Sequence, residues 1–253
     1  MKILSLGAGV QSSTMALMSM VGAFEKPDYA IFADTQWEPK PVMDYLDWLE
    51  SVLDFPIIRV TAGNILEESS KTGKYSAIPF FTSAGGLGRR QCSREFKTAP
   101  VDKKVRELLG LMPGQKAKDE KAEVWIGIST DESDRMKPSL EKWKTKRYPL
   151  IELGMSRIDC LKWVKQNGFP EPPRSSCVGC PFKHDREWLD LRNNHPAIWQ
   201  EAIRADKEIR KAGTQENGYQ FIHSSLKPLA EVEFAADSQI NLFTNECEGM
   251  CGL

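Results

Sequence analysis

The stretch that most constrains the fold is an apolar run that gives way to a turn of small residues and then to a helical pattern. Its sequence is MKILSLGAGVQSST. The pattern predicts a β-strand that leads through Gly7, Ala8 and Gly9 into the first turn of a helix. Amides in that turn have no intrahelical acceptor and the helix dipole adds positive potential, so a phosphate can bind there. On these residues alone, an anion site and a plain turn of an α/β fold are equally favoured.

Further strand and helix patterns alternate along the chain. Apolar runs that predict strands lie at 28–33, 57–60 and 124–128. Amphipathic stretches between them predict helices, and this alternation predicts right-handed parallel crossovers. We therefore expect an α/β fold with a doubly wound, mostly parallel sheet. A nucleotide-binding domain at 1–150 and a helical, cysteine-bearing C-terminal part at 151–253 would make up the chain.

Composition excludes several classes of protein. The 253 residues are 41% hydrophobic and 27% charged, which is typical of a soluble globular protein with a large core. Lys plus Arg number 34 against 35 Asp plus Glu, so general coating of nucleic acid is not expected, although a local basic face stays open. No run approaches the roughly 20 apolar residues of a membrane span. With no export signal before the first strand, we expect a cytoplasmic protein without membrane association.

Six cysteines become candidates for metal or redox chemistry in a reducing compartment. They are Cys92, Cys160, Cys177, Cys180, Cys247 and Cys251. Cys177 and Cys180 form a CxxC followed by proline, a loop geometry that can aim two thiolates at one metal ion or cluster. Cys160 lies on the apolar face of a predicted helix and is interpreted as a core residue. The CxxxC of the tail is a redox element, a further source of ligands or a tail without a role.

Polar residues follow two of the predicted strands. Those after the second strand are Asp34 and Thr35, and those after a later strand are Ser129, Glu132 and Arg135. Because the carboxyl ends of parallel strands line one crevice, these side chains are expected to face the same space as the first turn. Helix caps rich in Asp and Ser are the alternative interpretation.

Two basic segments allow either a binding or a purely solvated role. Arg94 and Lys97 follow a glycine-rich stretch that also contains Cys92. A guanidinium at the end of such a loop matches a phosphate or sulfate bidentately, and a solvated mobile loop is the alternative. The Lys- and Arg-rich stretch 135–147 suits an acidic or nucleic-acid partner, but such runs are more often a solvated face.

These motifs together resemble the PP-loop ATP pyrophosphatases, and among them the phosphoadenosine phosphosulfate (PAPS) reductase family. GAGVQSS (7–13) looks like the family's SGGxDS(S/T) loop, and FADTQWE (32–38) looks like its F-x-D-T-G-x-E segment. CSREFKTAP (92–100) looks like the family's segment of Cys, basic residues and Pro. GISTDESDR (127–135) looks like its G-x-R-x-x-E-S-x-x-R strand end. With the CxxC, five motifs stand in the family's order between residues 2 and 182.

The resemblance implies a Rossmann-like fold of the adenine nucleotide alpha-hydrolase type with an adenine-nucleotide site. The residues it places there are Ser5, Gly7, Ala8, Gly9, Gln11, Ser12, Ser13, Asp34, Thr35, Arg94, Lys97, Ser129, Glu132 and Arg135. It also implies Cys92, Cys177 and Cys180 as ligands of a four-iron four-sulfur (4Fe-4S) cluster, with either an open iron site or a fourth ligand from elsewhere. The loop departs from the family pattern at Gly7, where the family has Ser, and at Gln11, where an amide replaces the Asp that would assist Mg²⁺.

Three functions follow from the resemblance. In the first, ATP with Mg²⁺ adenylates a nucleic-acid or small-molecule substrate, pyrophosphate leaves, and a sulfur species at the cluster displaces AMP. In the second, adenylyl sulfate or PAPS binds, and a tail thiolate of Cys251 or Cys247 attacks its sulfur on the way to sulfite. In the third, the three cysteines named above and His184 hold structural zinc in a non-catalytic nucleotide-binding module. A sulfur donor or a reductant is therefore an expected partner, and the open cluster coordination favours the first function.

Overall fold

The structure is a computed structural model that describes residues 1–71, 76–116, 122–210, 212 and 218–235. Its strands are β1 (Lys2–Leu6), β2 (Tyr29–Asp34), β3 (Ile57–Thr61), β4 (Phe81–Thr82), β5 (Ala122–Ile126), β6 (Lys144–Arg147) and β7 (Gln220–Phe221). Its α-helices are α1 (Val10–Met20), α2 (Lys40–Val52), α3 (Ile65–Ser69), α4 (Ala99–Leu108), α5 (Pro149–Glu152), α6 (Arg157–Gln166), α7 (Asp185–Asn194) and α8 (Pro196–Ile209). A π-helix spans Ser93–Thr98, and 3₁₀-helices span Thr130–Arg135 and Leu229–Glu231.

Five of the described strands form one sheet in the order β3-β2-β1-β5-β6. All of its strand pairs are parallel, and β1 lies in the centre between β2 and β5. β4 and β7 pair antiparallel in a separate two-stranded sheet. The parallel sheet with its intervening helices confirms the α/β fold predicted from the alternation of strand and helix patterns.

Successive residues of the central strands point to opposite faces of the sheet, and helices cover both. Leu4 of β1 and Phe32 of β2 belong to the apolar cluster that includes α1, α2 and α6. Ile3 and Ile31 pack instead with α4 on the other face. The sheet is therefore doubly wound, as predicted. A third cluster joins α7 and α8 to the cysteine-bearing segment; the division of the chain at residue 150 stays a prediction.

The sequence pattern does not predict β6, because a segment so rich in Lys and Arg is typical of a solvated face. Lys144 is nevertheless only 5% exposed, and its ammonium lies 2.5 and 2.6 Å from the two carboxylate oxygens of Asp102. Arg147 pairs with Glu25 and with Glu152. Asp102 and Glu25, which lie far away in sequence, thus pair with two cations of this edge strand, which the local sequence does not show.

The helices of the described residues are short, and none has the length and apolarity needed to cross a lipid bilayer. α6 illustrates how they begin and pack. Ser156 caps it in a capping box with Asp159. Cys160 on this helix is completely buried in the cluster with α1, which confirms its interpretation as a core residue.

Candidate nucleotide and cysteine site

The β1–α1 turn lies at the carboxyl edge of the sheet, and its residues 7–13 are all buried. Ala8 has a φ of +54°, in the left-handed region that glycine adopts without strain. The Gly7 N–H donates to the Ser12 hydroxyl at 3.1 Å, which closes the turn. Gly9 is the N-cap of α1, and no side chain caps this helix end. The positive end of the α1 dipole therefore lies at the turn, as predicted for an anion site.

Gln11 joins the turn to two other elements. Its amide nitrogen lies 3.1 Å from Glu132 Oε2 and 3.4 Å from Ser129 Oγ. Its amide oxygen accepts a hydrogen bond from Arg157 Nη1 at 2.9 Å, and Glu132 also pairs with Arg135. The structure thus brings together the predicted residues of two strand ends. Arg157 is a residue that sequence reasoning missed, because it reaches the turn from α6 and belongs to no motif.

The end of β2 forms a second turn beside the first. Asp34 Oδ1 accepts a hydrogen bond from the Gln36 backbone N–H at 2.7 Å, so this carboxylate holds its own turn. Gln36 has a φ of +56°, at the position where the family pattern has glycine. Thr35 is completely buried, and its hydroxyl donates to Glu38 Oε1 at 2.9 Å.

A buried ion pair meets a thiol at this second turn. Lys97 Nζ lies 3.6 Å from Glu38 Oε1, and the two side chains are 5% and 2% exposed. Cys177 belongs to the segment 174–180, here called the cysteine loop, and its Sγ lies 3.5 Å from Thr35 Oγ1 and 3.8 Å from Glu38 Oε1. Burial raises the pKa of the Cys177 thiol well above its ordinary value; the Glu38 charge adds to this, whereas the Lys97 charge opposes it.

The cysteine loop also closes directly over the β1–α1 turn. Ser175 Oγ donates a hydrogen bond to the Gly7 carbonyl oxygen at 2.5 Å. Val178 N–H donates to the Trp37 carbonyl oxygen at 3.1 Å. One short loop therefore contacts the ends of β1 and β2 at once, and it brings thiols to the proposed phosphate site.

The three cysteines predicted as ligands line one small cavity. Cys92, Cys177 and Cys180 surround about 30 Å³ of space together with Lys97. Within the described ranges, no three Cys, His, Asp or Glu side chains are placed to hold a single metal ion. A tetrahedral zinc ion needs each sulfur about 2.3 Å away, whereas in an iron–sulfur cluster the cysteines are spread over several irons. Three thiols around one cavity are a donor set that both zinc and iron–sulfur clusters take.

Some predicted residues lie away from these groups. Arg94 is exposed and lines a separate cavity of about 710 Å³ beside α4, whereas Lys97, three residues later in the same π-helix, is buried. The structure therefore does not bring Arg94 to the turn. Ser5 is buried within β1, between its two partner strands. Cys247 and Cys251, predicted as catalytic, lie outside the described residues.

A larger cavity of about 820 Å³ lies on the other side of the cysteine loop, against α6, α7 and α8. Arg157, which also holds Gln11, is in its wall. Lys183 is a second basic residue there, and its ammonium donates to the Ser176 hydroxyl at 2.5 Å. Burial lowers the pKa of Lys183 below its ordinary value. None of the residues predicted to bind the nucleotide lines this cavity.

No protein-family model and no curated protein sequence matches the chain. Among solved structures, the chain is similar to a phosphoadenylyl-sulfate (PAPS) reductase from Candida auris determined as a phosphate complex. The two are 12% identical, with a TM-score of 0.42, and the match covers 68% of this chain and 74% of that chain. At this level of similarity, a function has to be argued from this chain's own residues.

Proposed function

We propose that the protein is an enzyme that binds an adenine nucleotide at the β1–α1 turn and moves sulfur with the thiols of the adjacent cysteine loop. The observation that carries the proposal is the contact of this loop with both strand ends. Ser175 bonds to Gly7 at the turn, and Cys177 lies against Thr35 at the end of β2. A thiol and an anion-binding turn on one edge of a parallel sheet are what a sulfur transfer at a nucleotide requires.

The nucleotide half of the proposal rests on the turn and its cations. The uncapped N-terminus of α1 offers amides and a positive dipole end to a phosphate. Arg157 and Arg135 lie around Gln11 and Glu132, and guanidinium groups match phosphate oxygens bidentately. These groups would hold the phosphates, while an acceptor oxygen attacks the α-phosphorus of ATP and pyrophosphate leaves with the electrons of the broken P–O bond.

The sulfur half of the proposal rests on the shared cavity of Cys92, Cys177 and Cys180. We propose these cysteines as the ligands of an iron–sulfur cluster, which when bound would supply an open iron site for a sulfur atom. The burial that raises the pKa of Cys177 disfavours a free thiolate, and binding to iron would stabilise that thiolate. After adenylation, a sulfide donor would attack the activated carbon of the acceptor, and AMP would leave with the electrons of the C–O bond. A persulfide donor would leave a mixed disulfide on that carbon, which a dithiol reductant would cleave to the thiol while becoming a disulfide itself.

Cleavage of a sulfonucleotide is the second candidate, because the turn carries the amide of Gln11 where a carboxylate would assist Mg²⁺. A sulfonucleotide needs no metal ion to neutralise a triphosphate. In this reaction a thiolate of Cys251 or Cys247 would attack the sulfur and release AMP from adenylyl sulfate, or adenosine 3′,5′-bisphosphate from PAPS. A second thiol, from the tail or from a dithiol reductant, would then form a disulfide and release sulfite.

Nucleotide binding tests the first half of the proposal. Titration calorimetry on the full-length protein with ATP, adenylyl sulfate, PAPS and GTP should show binding of at least one adenine nucleotide in preference to GTP. With Mg²⁺ left out of the titration, Gln11→Glu places an uncompensated negative charge at the turn and should weaken that binding about tenfold or more. Gln166→Glu adds the same charge at the exposed far end of α6 and should not. Equal affinities in the two variants, or no adenine nucleotide binding, would refute a phosphate site at the turn.

Iron analysis tests the second half. Protein purified without oxygen should contain iron and acid-labile sulfide, and Cys177→Ala should lose both. Cys160→Ala removes a thiol from the core and should keep them. Unchanged iron in Cys177→Ala, or zinc without iron in the unmodified protein, would exclude the proposed cluster. Release of pyrophosphate from ATP, compared with release of sulfite from the sulfonucleotides, then separates the two reactions.

A further inference from the structure

The 820 Å³ cavity has the size of a ligand pocket, and it lies apart from the turn and from the cysteine cavity. Its walls come from the start of α2, from α6, and from α7 and α8. The cysteine loop separates it from the strand ends: Ser176 lines the cavity, whereas its neighbours Ser175 and Cys177 contact Gly7 and Thr35. A molecule in the cavity would therefore lie one loop away from the proposed nucleotide and thiols.

The polar wall of the cavity is suited to an anion. Lys183 donates to the neutral hydroxyl of Ser176, and Arg186 is exposed at the start of α7. Arg174 pairs with Glu187 through Nη1, but its Nε is buried and has no hydrogen-bond partner among the described residues. A buried donor without an acceptor is costly. An anion bound against Arg174 would supply acceptor oxygens.

The carboxylates of the same wall are largely engaged already. Glu187 binds Arg174 and also accepts a hydrogen bond from the His184 backbone N–H at 2.7 Å. Asp190 lies 3.7 Å from His195 Nε2 and accepts a hydrogen bond from the Asn194 side chain. Glu171, the third carboxylate of the wall, is exposed. The wall as a whole carries four Arg or Lys side chains against three carboxylates, so its net charge favours an incoming anion.

Most of the remaining wall is apolar. Its apolar members include Pro39, Pro41, Val42, Ile158, Leu161 and Ile198. A ligand that fills the cavity would need a flat or apolar body beside its anionic group. A heteroaromatic ring that carries a phosphate suits both parts of the wall. The basic side chains can bind the phosphate oxygens, and the apolar side chains can pack on the ring.

We infer that this cavity binds the sulfur acceptor, and that the acceptor is a single nucleotide unit carrying a phosphate. The inference rests on the proposed function in that a sulfur-transfer enzyme needs a second site for its acceptor. The unit is either a free mononucleotide or one residue of a single-stranded nucleic acid, and the cavity chemistry is the same for both. Arg157 connects the two sites, because it lines the cavity and donates to Gln11 at the turn.

Binding of UMP to the full-length protein tests the inference, since a pyrimidine distinguishes this site from an adenine-nucleotide site. Titration calorimetry should show binding of UMP but not of uridine, and an excess of ATP should not displace UMP. Arg186→Glu and Lys183→Gln should each weaken UMP binding about tenfold, the usual loss for a hydrogen bond to a charged group. Arg192→Glu makes the same charge change on an exposed part of α7 outside the cavity and should leave the affinity unchanged.

Several results would overturn the inference. Absence of UMP binding, unchanged affinity in Arg186→Glu, or displacement of UMP by ATP would each exclude a separate acceptor site in this cavity. Arg186 is exposed, so its variant should fold even if Lys183→Gln does not. A short single-stranded oligouridylate that binds more tightly than UMP would identify a nucleic-acid acceptor, and equal or weaker binding would identify a free nucleotide. UMP binding without any ATP or sulfonucleotide binding would refute the turn site and leave the cavity site standing.

Discussion

The β1–α1 turn and the cysteine loop hold the two halves of the candidate site by different means. The turn is closed by neighbours in sequence, since Gly7 bonds to Ser12 and the chain runs directly from the central strand into α1. The cysteine loop contains no helix or strand, and its contacts to Gly7 and Thr35 span 168 and 142 residues. The turn proposed to bind an anion is thus a local property of the sequence, whereas the position of the thiols beside it exists only in the assembled fold.

Removal of the buried cation beside the cysteine loop should have the largest effect on stability. Lys97→Met leaves Glu38 buried without its ion-pair partner, and breaking such a pair costs about 3 kcal/mol. Urea unfolding measures this as a lower free energy of unfolding. Lys103→Met, an exposed lysine on α4, should change the free energy by less than about 0.5 kcal/mol.

The double variant Lys97→Met/Glu38→Gln removes both charges and should recover most of the lost stability, because the isolated buried charge is the source of the cost. A double variant as unstable as Lys97→Met would show that the ion pair does not stabilise this side of the site.

A methyl group between the two cysteines of the loop should have an intermediate effect. A Cβ at Gly179 would overlap the Trp37 ring, closer than van der Waals contact allows, and would lie 3.0 Å from Ile222 Cδ1. Gly179→Ala should therefore cost about 2 kcal/mol through overpacking, again measured by urea unfolding. In a Trp37→Leu background the same substitution should cost less, because the ring is gone. An equal cost in both backgrounds would contradict the proposed contact between the loop and the end of β2.

The smallest effect is expected at the turn itself. Ala8 at φ +54° carries a strain of about 1 kcal/mol. Ala8→Gly removes it, but Ala8 is fully buried in the core, and the lost methyl and the freer unfolded chain cost about as much. Gln36 has a φ of +56° and an exposed side chain, so Gln36→Gly should give a net gain of about 0.5 kcal/mol, seen as a rise in Tm of about 1–2 °C. Ala16→Gly, within α1, should instead lower stability by about 1 kcal/mol, and a similar loss in Gln36→Gly would disprove strain at the end of β2.

The candidate site was predictable to different extents in its two parts. The turn from Gly7 to Ser13 is predictable from the sequence, because a strand, a small-residue turn and a helix are encoded by adjacent residues. Glu38 lies within a recognised motif, yet its partner Lys97 comes from a π-helix whose register the sequence pattern does not show. Arg157 and the 820 Å³ cavity carry no signal at all, since they arise where helices distant in sequence meet.

The sequence by itself determined the parallel α/β sheet, the strand–turn–helix at residues 2–20 and the core position of Cys160, because strand and helix periodicity act over a few residues. Tertiary structure decided that β6 joins the sheet with two of its cations in ion pairs, that Lys97 is buried while Arg94 is exposed, and that the cysteine loop closes over the turn. The physical reason is that burial and ion pairing depend on which distant side chains become neighbours. Only the packed fold assigns those neighbours.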